Sequence, residues 1–126
     1  MNRAGLDKRL QELGIYSEYY YRKELKSLVQ MIGEGEQLNC ILTGVNDGNR
    51  KMLAITDKRL FIISTLLGSG EFKVIKGSAV RDYGFTKKFL FSSCVIKTSE
   101  EEFLFKNTQA SVEDLFKDAM EKLAKD

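Results

Sequence analysis

The chain contains no histidine. That removes the commonest general base and a common metal ligand. The two cysteines, Cys40 and Cys94, are too few to build a structural zinc site alone. Neither has a histidine to activate it as a nucleophile. Both sit inside apolar, strand-like runs, where a buried structural thiol is the expected state. Glu100, Glu101 and Glu102 form a carboxylate run that reads as a solvated turn tip. Gly68-Ser69-Gly70 is too short to cradle a phosphate, and no Gly-x-Gly-x-x-Gly, P-loop or Gly-x-Ser-x-Gly pattern is present. These residues point away from catalysis and imply no cofactor and no metal.

Binding chemistry is better represented. Tyr16, Tyr19, Tyr20 and Tyr21 crowd together beside Arg22, Lys23 and Lys26. Two readings stand: amphipathic rings packed sideways on a sheet, or a protein interface, where tyrosine and arginine are enriched. Arg50, Lys51, Lys87 and Lys88 form a second group. They make a small anion-attracting rim if one open end of the fold gathers them, and otherwise merely solubilise it. Four exposed cations would bind an anionic membrane surface weakly and in a salt-sensitive way. Across the chain, 20 basic residues meet 18 acidic ones, a net charge of +2. That balance does not announce a nucleic-acid binder. Acidic residues also interleave with Tyr19, Tyr20, Arg22 and Lys23, so no nucleic-acid partner is expected.

The elements that must position these groups are legible in outline. Leu6, Leu10 and Leu13 share one helical face, with Gly14 past its end. Ser17 can cap a second helix, in which Leu25, Leu28, Val29 and Ile32 form an apolar stripe. Gly33 stops it. Residues 1–33 therefore read as a helical extension that is not an independent domain, and residues 34–126 as the main domain.

From residue 37 onward the chain becomes strand-rich, with strands expected near 37–44, 51–56, 59–66, 71–76, 79–85, 89–98 and 102–107. Leu38, Cys40 and Leu42 alternate with other neighbours along the first. Asn46-Asp47-Gly48-Asn49 and Gly68-Ser69-Gly70 are strong turn signals, Gly77-Ser78 and Thr86-Lys87-Lys88 weaker ones. The centre is a hairpin over residues 51–66 turning at Asp57-Lys58. A two-residue loop sets Ile55 opposite Leu60 and Leu53 opposite Ile62. Leu53, Ile55, Leu60 and Ile62 then share one face, and Met52, Ala54, Phe61 and Ile63 the other. A half-solvated antiparallel sheet would alternate apolar with polar. This one does not, so both faces require cover, and Phe61 and Ile63 become candidates for a protein interface. The last segment is the clearest helix. Ser111 and Asp114 resemble a capping box. Val112, Leu115, Phe116, Ala119, Met120 and Leu123 then form a wide apolar stripe that demands burial.

Seven strands followed by one amphipathic helix resemble the layout of the pleckstrin-homology (PH) superfold. Gly35-Glu36 precedes the first strand. Thr56-Asp57-Lys58-Arg59-Leu60-Phe61 resembles the Thr-x-x-Arg-Leu signature of bacterial PH-like domains, especially the YokE-like group. Val112-Glu113-Asp114-Leu115 at the start of the final helix is similar too. The resemblance covers about residues 25–124. It implies an α+β, mainly β fold: a seven-stranded antiparallel sandwich or barrel capped by a C-terminal helix, here with an N-terminal helical extension. It also implies a non-enzymatic interaction module, often oligomeric, with a protein partner or a second copy as ligand. Some relatives bind phosphoinositides through basic residues on the first two strands and their loop. Here that loop offers only Arg50 and Lys51, and residues 37–44 hold no basic residue, which argues against that ligand. The N-terminus lacks the apolar run of a signal peptide, so a cytoplasmic location is expected.

Overall fold

The computed structural model describes residues 1–64 and 71–123. Four α-helices and seven β-strands are present among them: α1 Arg3–Glu12, α2 Tyr16–Tyr19, α3 Glu24–Met31, β1 Leu38–Asn46, β2 Asn49–Thr56, β3 Arg59–Ser64, β4 Glu71–Lys76, β5 Val80–Thr86, β6 Ser92–Thr98, β7 Glu102–Thr108 and α4 Glu113–Lys122. All pairings are antiparallel, in the order β4-β3-β2-β1-β7-β6-β5. The sheet folds over at the β1–β7 junction, and α4 closes it. The turn expected at Gly68-Ser69-Gly70 and the last two residues of the expected third strand lie outside the described residues.

The central hairpin has the register its side chains require. Ile55 stands opposite Leu60 and Leu53 opposite Ile62. Both faces are covered, by different layers. Leu53, Ile55, Leu60 and Ile62 belong to a core that includes Cys94, Ile96, Phe105 and Phe116. Met52, Ala54, Phe61 and Ile63 belong to a second core, filled from the helices by Leu6, Leu10, Leu25 and Leu28.

A bulge in β1 decides which side chain goes where. The register shifts between Leu38 and Cys40. One extra residue flips every later side chain to the other face. Leu38 therefore enters the helix-side core while Cys40 and Leu42 enter the interior one. The simple alternation of Leu38, Cys40 and Leu42 on one face does not survive. Arg9 holds the bulge from α1: its Nε donates to the Leu38 carbonyl (2.6 Å) and its Nη2 to Asn39 Oδ1 (3.0 Å).

Three starts differ from expectation. Ser17 sits inside the single turn of α2, and α3 begins after Lys23 with no side-chain cap. Ser111 lies in a 3-10 turn, Ala110–Val112, that leads into α4, whose N-cap Val112 supplies no side-chain bond. Helix entry is guided there by burial of Val112 rather than by a hydroxyl cap. The third difference is β6, which begins at Ser92 rather than Phe89. Its pairing starts where Ser92 meets Thr108 of β7 and Ser93 meets Thr86, the last residue of β5. Beyond that the loop has no partner strand, so its apolar run never joins the sheet. The α4 stripe behaves as its spacing predicts. Phe116, Ala119 and Met120 are fully buried, and Tyr83 and Phe85 approach the Phe116 ring at 6.1 and 5.9 Å.

Candidate functional site

The Thr56-to-Leu60 motif performs structural chemistry. Glu36, in the joint between α3 and β1, is nearly inaccessible at its side chain (2%). Arg59 meets it with two nitrogens: Nη2 to Oε1 at 2.7 Å and Nε to Oε2 at 3.0 Å. The Thr56 hydroxyl donates to Oε2 (2.6 Å), and the Gly33 amide donates to Oε1 (2.9 Å). Thr56 Oγ1 in turn accepts from the amides of Lys58 and Arg59, which shapes the hairpin turn. Asp57 Oδ1 accepts from the Gln37 amide (2.9 Å). Arg59 also donates to the Met31 carbonyl at the end of α3 (3.0 Å) and lies 4.8 Å from the Phe61 ring centroid. Burial alone would raise the Glu36 carboxyl, but the bonds from Arg59, Thr56 and Gly33 outweigh it and hold the pKa down at about 2. A buried carboxylate with both oxygens satisfied in this way fixes geometry. The motif clamps the helical extension to the central hairpin and leaves no lone pair for a ligand.

The five residues expected as a protein interface separate. Phe61 and Ile63 are buried beneath the chain's own helices, as is Tyr19. Residues 1–33 pack on their own sheet, so these three side chains present no surface to a partner. Only Tyr16, half-buried, and Tyr20, exposed, reach the outside, where their rings stack with centroids 5.3 Å apart. Burial pushes the Tyr19 phenol up, with the Glu18 charge adding to the effect.

The four cations of the expected rim also divide. Neighbours on a strand point to opposite faces. Arg50 lies toward the helix side and donates to Thr43 Oγ1 (3.3 Å) and the Asn107 carbonyl (3.4 Å). Lys51 lies toward the sandwich interior, bonds Asn46 Oδ1 (2.9 Å) and borders a depression with Lys73 and Glu101. Lys88 borders a different one with Phe91, Leu104, Lys106 and Asn107. Asn107 thus accepts from Arg50 and borders the depression that Lys88 and Lys106 line, while Lys51 borders a separate one.

Reactive groups are shut away. Cys40 and Cys94 are free and buried in the interior core. Burial pushes the Cys94 thiol up to about 12 and Cys40 in the same direction. No cluster of three metal-ligating side chains exists among the described residues. Glu100, Glu101 and Glu102 are exposed, as a solvated tip requires, and Glu101 also pairs at the surface with Lys73 at 2.6 Å; Lys73 lies 4.9 Å from the Phe103 ring.

Two surface features escaped the sequence reading. Phe72 and Val74 on the end strand β4 are 61% and 41% exposed, and Phe89, Leu90 and Phe91 project from the β5–β6 loop. Both runs read as ordinary strand. For 89–91 the lack of alternation and the two lysines just before it were the available signals.

A seven-strand antiparallel sheet folded on itself and plugged by a C-terminal helix defines a pleckstrin-homology-like domain. A family model described as bacterial PH domain matches residues 32–121, and the chain belongs to that family. No curated protein matches it. Among solved structures, it is similar to the C-terminal domain of an unknown protein from Leishmania infantum, with 22% identity and a TM-score of 0.55, covering 82% of this chain and 94% of that one. It is also similar to a DUF1696 family protein with a pleckstrin-homology domain from Shewanella loihica PV-4, with 17% identity and a TM-score of 0.50, covering 98% of this chain and 97% of that one. Among the described residues, no helix is long and apolar enough to cross a membrane.

Proposed function

We propose that this PH-like domain is a non-enzymatic interaction module that pairs with a second copy of itself along β4. The observation that carries this reading is the state of that strand. Among the described residues, β4 ends the sheet, with β3 as its one strand neighbour. Phe72 and Val74 stand opposite Ile63 and Phe61. They continue the face that α1–α3 cover, yet remain exposed themselves. An edge strand with open backbone groups and exposed apolar side chains is a template for another strand. Face parity restricts an antiparallel copy. A two-fold axis through Val74 sets Val74 against its own copy and Phe72 against Lys76, which keeps both apolar residues on one continuous face. Lys73 points the other way and is held by Glu101.

Sedimentation velocity tests this directly. The wild-type chain should sediment as a dimer of the 14.4 kDa protomer at tens of micromolar. Val74→Lys, which brings two cations together on the axis, should be a monomer of unchanged circular dichroism. A wild-type monomer at several hundred micromolar would end the proposal. A heterologous strand binding at β4 without self-association would move the role to a foreign partner.

A further inference from the structure

The β5–β6 loop, residues 87–91, carries the two most exposed large hydrophobic side chains of the described residues, Phe89 and Leu90. Phe89 is 98% exposed, Leu90 75% and Phe91 59%. Folding normally removes such groups from water, and a contiguous exposed run marks a surface that something else covers. The setting identifies the cover. Lys87 and Lys88 precede the run on the same loop, both exposed. Lys106 and the partly exposed Leu104 share a depression with Lys88 and Phe91, and no acidic side chain borders it. Arg50 reaches the Asn107 carbonyl at the edge of the same depression (3.4 Å). The nearest acids that a depression brings to Lys106, Asp47 and Glu102, border a neighbouring one that contains none of the loop residues.

We propose that this loop inserts into the interfacial layer of an anionic lipid bilayer. Phe89, Leu90 and Phe91 enter the acyl boundary, while Lys87, Lys88, Lys106 and Arg50 meet the phosphates and acidic headgroups. The shape favours a bilayer over a protein. A ring that is almost wholly exposed at a loop tip needs a dedicated pocket in a protein partner, whereas a bilayer accommodates it without one. The charge pattern fits as well: apolar tip in front, cations behind, the arrangement of interfacial anchors. This surface differs from the rim expected from sequence, because Lys51 has left it and Lys106 has joined it. It is also distinct from the β4 edge, so the two proposals stand or fall separately.

The test uses the full chain and large unilamellar vesicles of phosphatidylcholine, with or without 30% phosphatidylserine. Wild type should co-sediment with the anionic vesicles at about 50 mM salt and far less with neutral ones. Lys87→Gln with Lys88→Gln should weaken binding about 25-fold, at about five-fold per cation near the surface. The triple change Phe89→Ser, Leu90→Ser, Phe91→Ser should abolish it. The chain has no tryptophan, so Phe89→Trp supplies a single reporter. Its emission should shift to the blue with anionic vesicles and be quenched by brominated acyl chains. Absence of vesicle binding at low salt, or binding that survives the triple serine change, overturns the proposal. So does a Phe89→Trp signal that stays unquenched by brominated lipid and shifts only as the protein self-associates, which would assign the loop to a protein contact. Val74→Lys should retain vesicle binding, which separates this result from the fate of the β4 reading.

Discussion

Glu36→Gln isolates the clamp between the helical extension and the central hairpin. The substitution keeps the shape and one carbonyl oxygen. It removes the charge and turns an amide NH2 toward the Arg59 guanidinium, donor against donor. The magnitude follows from the carboxyl's own proton affinity. Lowering it from the ordinary 4.5 to about 2 corresponds to about 3 kcal/mol, at about 1.4 kcal/mol per tenfold. Arg59 is 35% exposed at its side chain, so water partly rehydrates it and the loss should not exceed that figure. The sign follows from the direction of the shift. The folded pKa is depressed, so the stabilisation is complete above about 4.5 and disappears as pH falls toward 2. About 2 kcal/mol of it should be gone at pH 3. Urea unfolding of both proteins at pH 7 and pH 3 measures the difference. Glu36→Gln should be less stable by up to about 3 kcal/mol at pH 7 and by up to about 1 kcal/mol at pH 3. A gap under about 0.5 kcal/mol at pH 7, or one that does not narrow with acid, would refute the clamp.

Three further outcomes follow from the packing. Gly44→Ala should destabilise by about 2 kcal/mol in thermal or urea unfolding, because a Cβ there would meet Thr108 Cγ2 at 2.8 Å and the Lys106 carbonyl at 3.0 Å. Cys40 and Cys94 should resist maleimide labelling at pH 8 in the native protein and both react in denaturant, since burial keeps them as thiols; rapid native labelling would contradict their placement. Phe116→Ala should cost about 3–5 kcal/mol by emptying the α4 plug, read as a lower urea midpoint.

Much of the architecture was legible because it is written in local periodicity. The hairpin register follows from a two-residue turn, and the need for two cores follows from apolar side chains on both faces of residues 52–63. Other features depend on tertiary events that no local pattern records. The bulge at Asn39 reassigns Leu38 to the helix-side core. The end of β5 at Thr86 strands Phe89, Leu90 and Phe91 outside the sheet, although their composition is that of a strand. Lys51 and Arg50 look like one cluster in sequence and part because adjacent strand residues face opposite ways. Arg59 and Glu36 lie 23 residues apart, and only the fold reveals that the family-like motif is a clamp. The tyrosine cluster divided for a similar reason: packing took Tyr19 inward and left Tyr20 in solvent.

The proposed pairing sets the β4 edge against a second copy and leaves the helix-covered face out of the contact. Hydrogen–deuterium exchange, compared between dilute and concentrated protein, reads that contact strand by strand. Amides of residues 71–76 should gain protection with concentration while those of residues 3–31 stay unchanged. Protection that rises instead across Tyr16 to Arg22, or nowhere on β4, would contradict it.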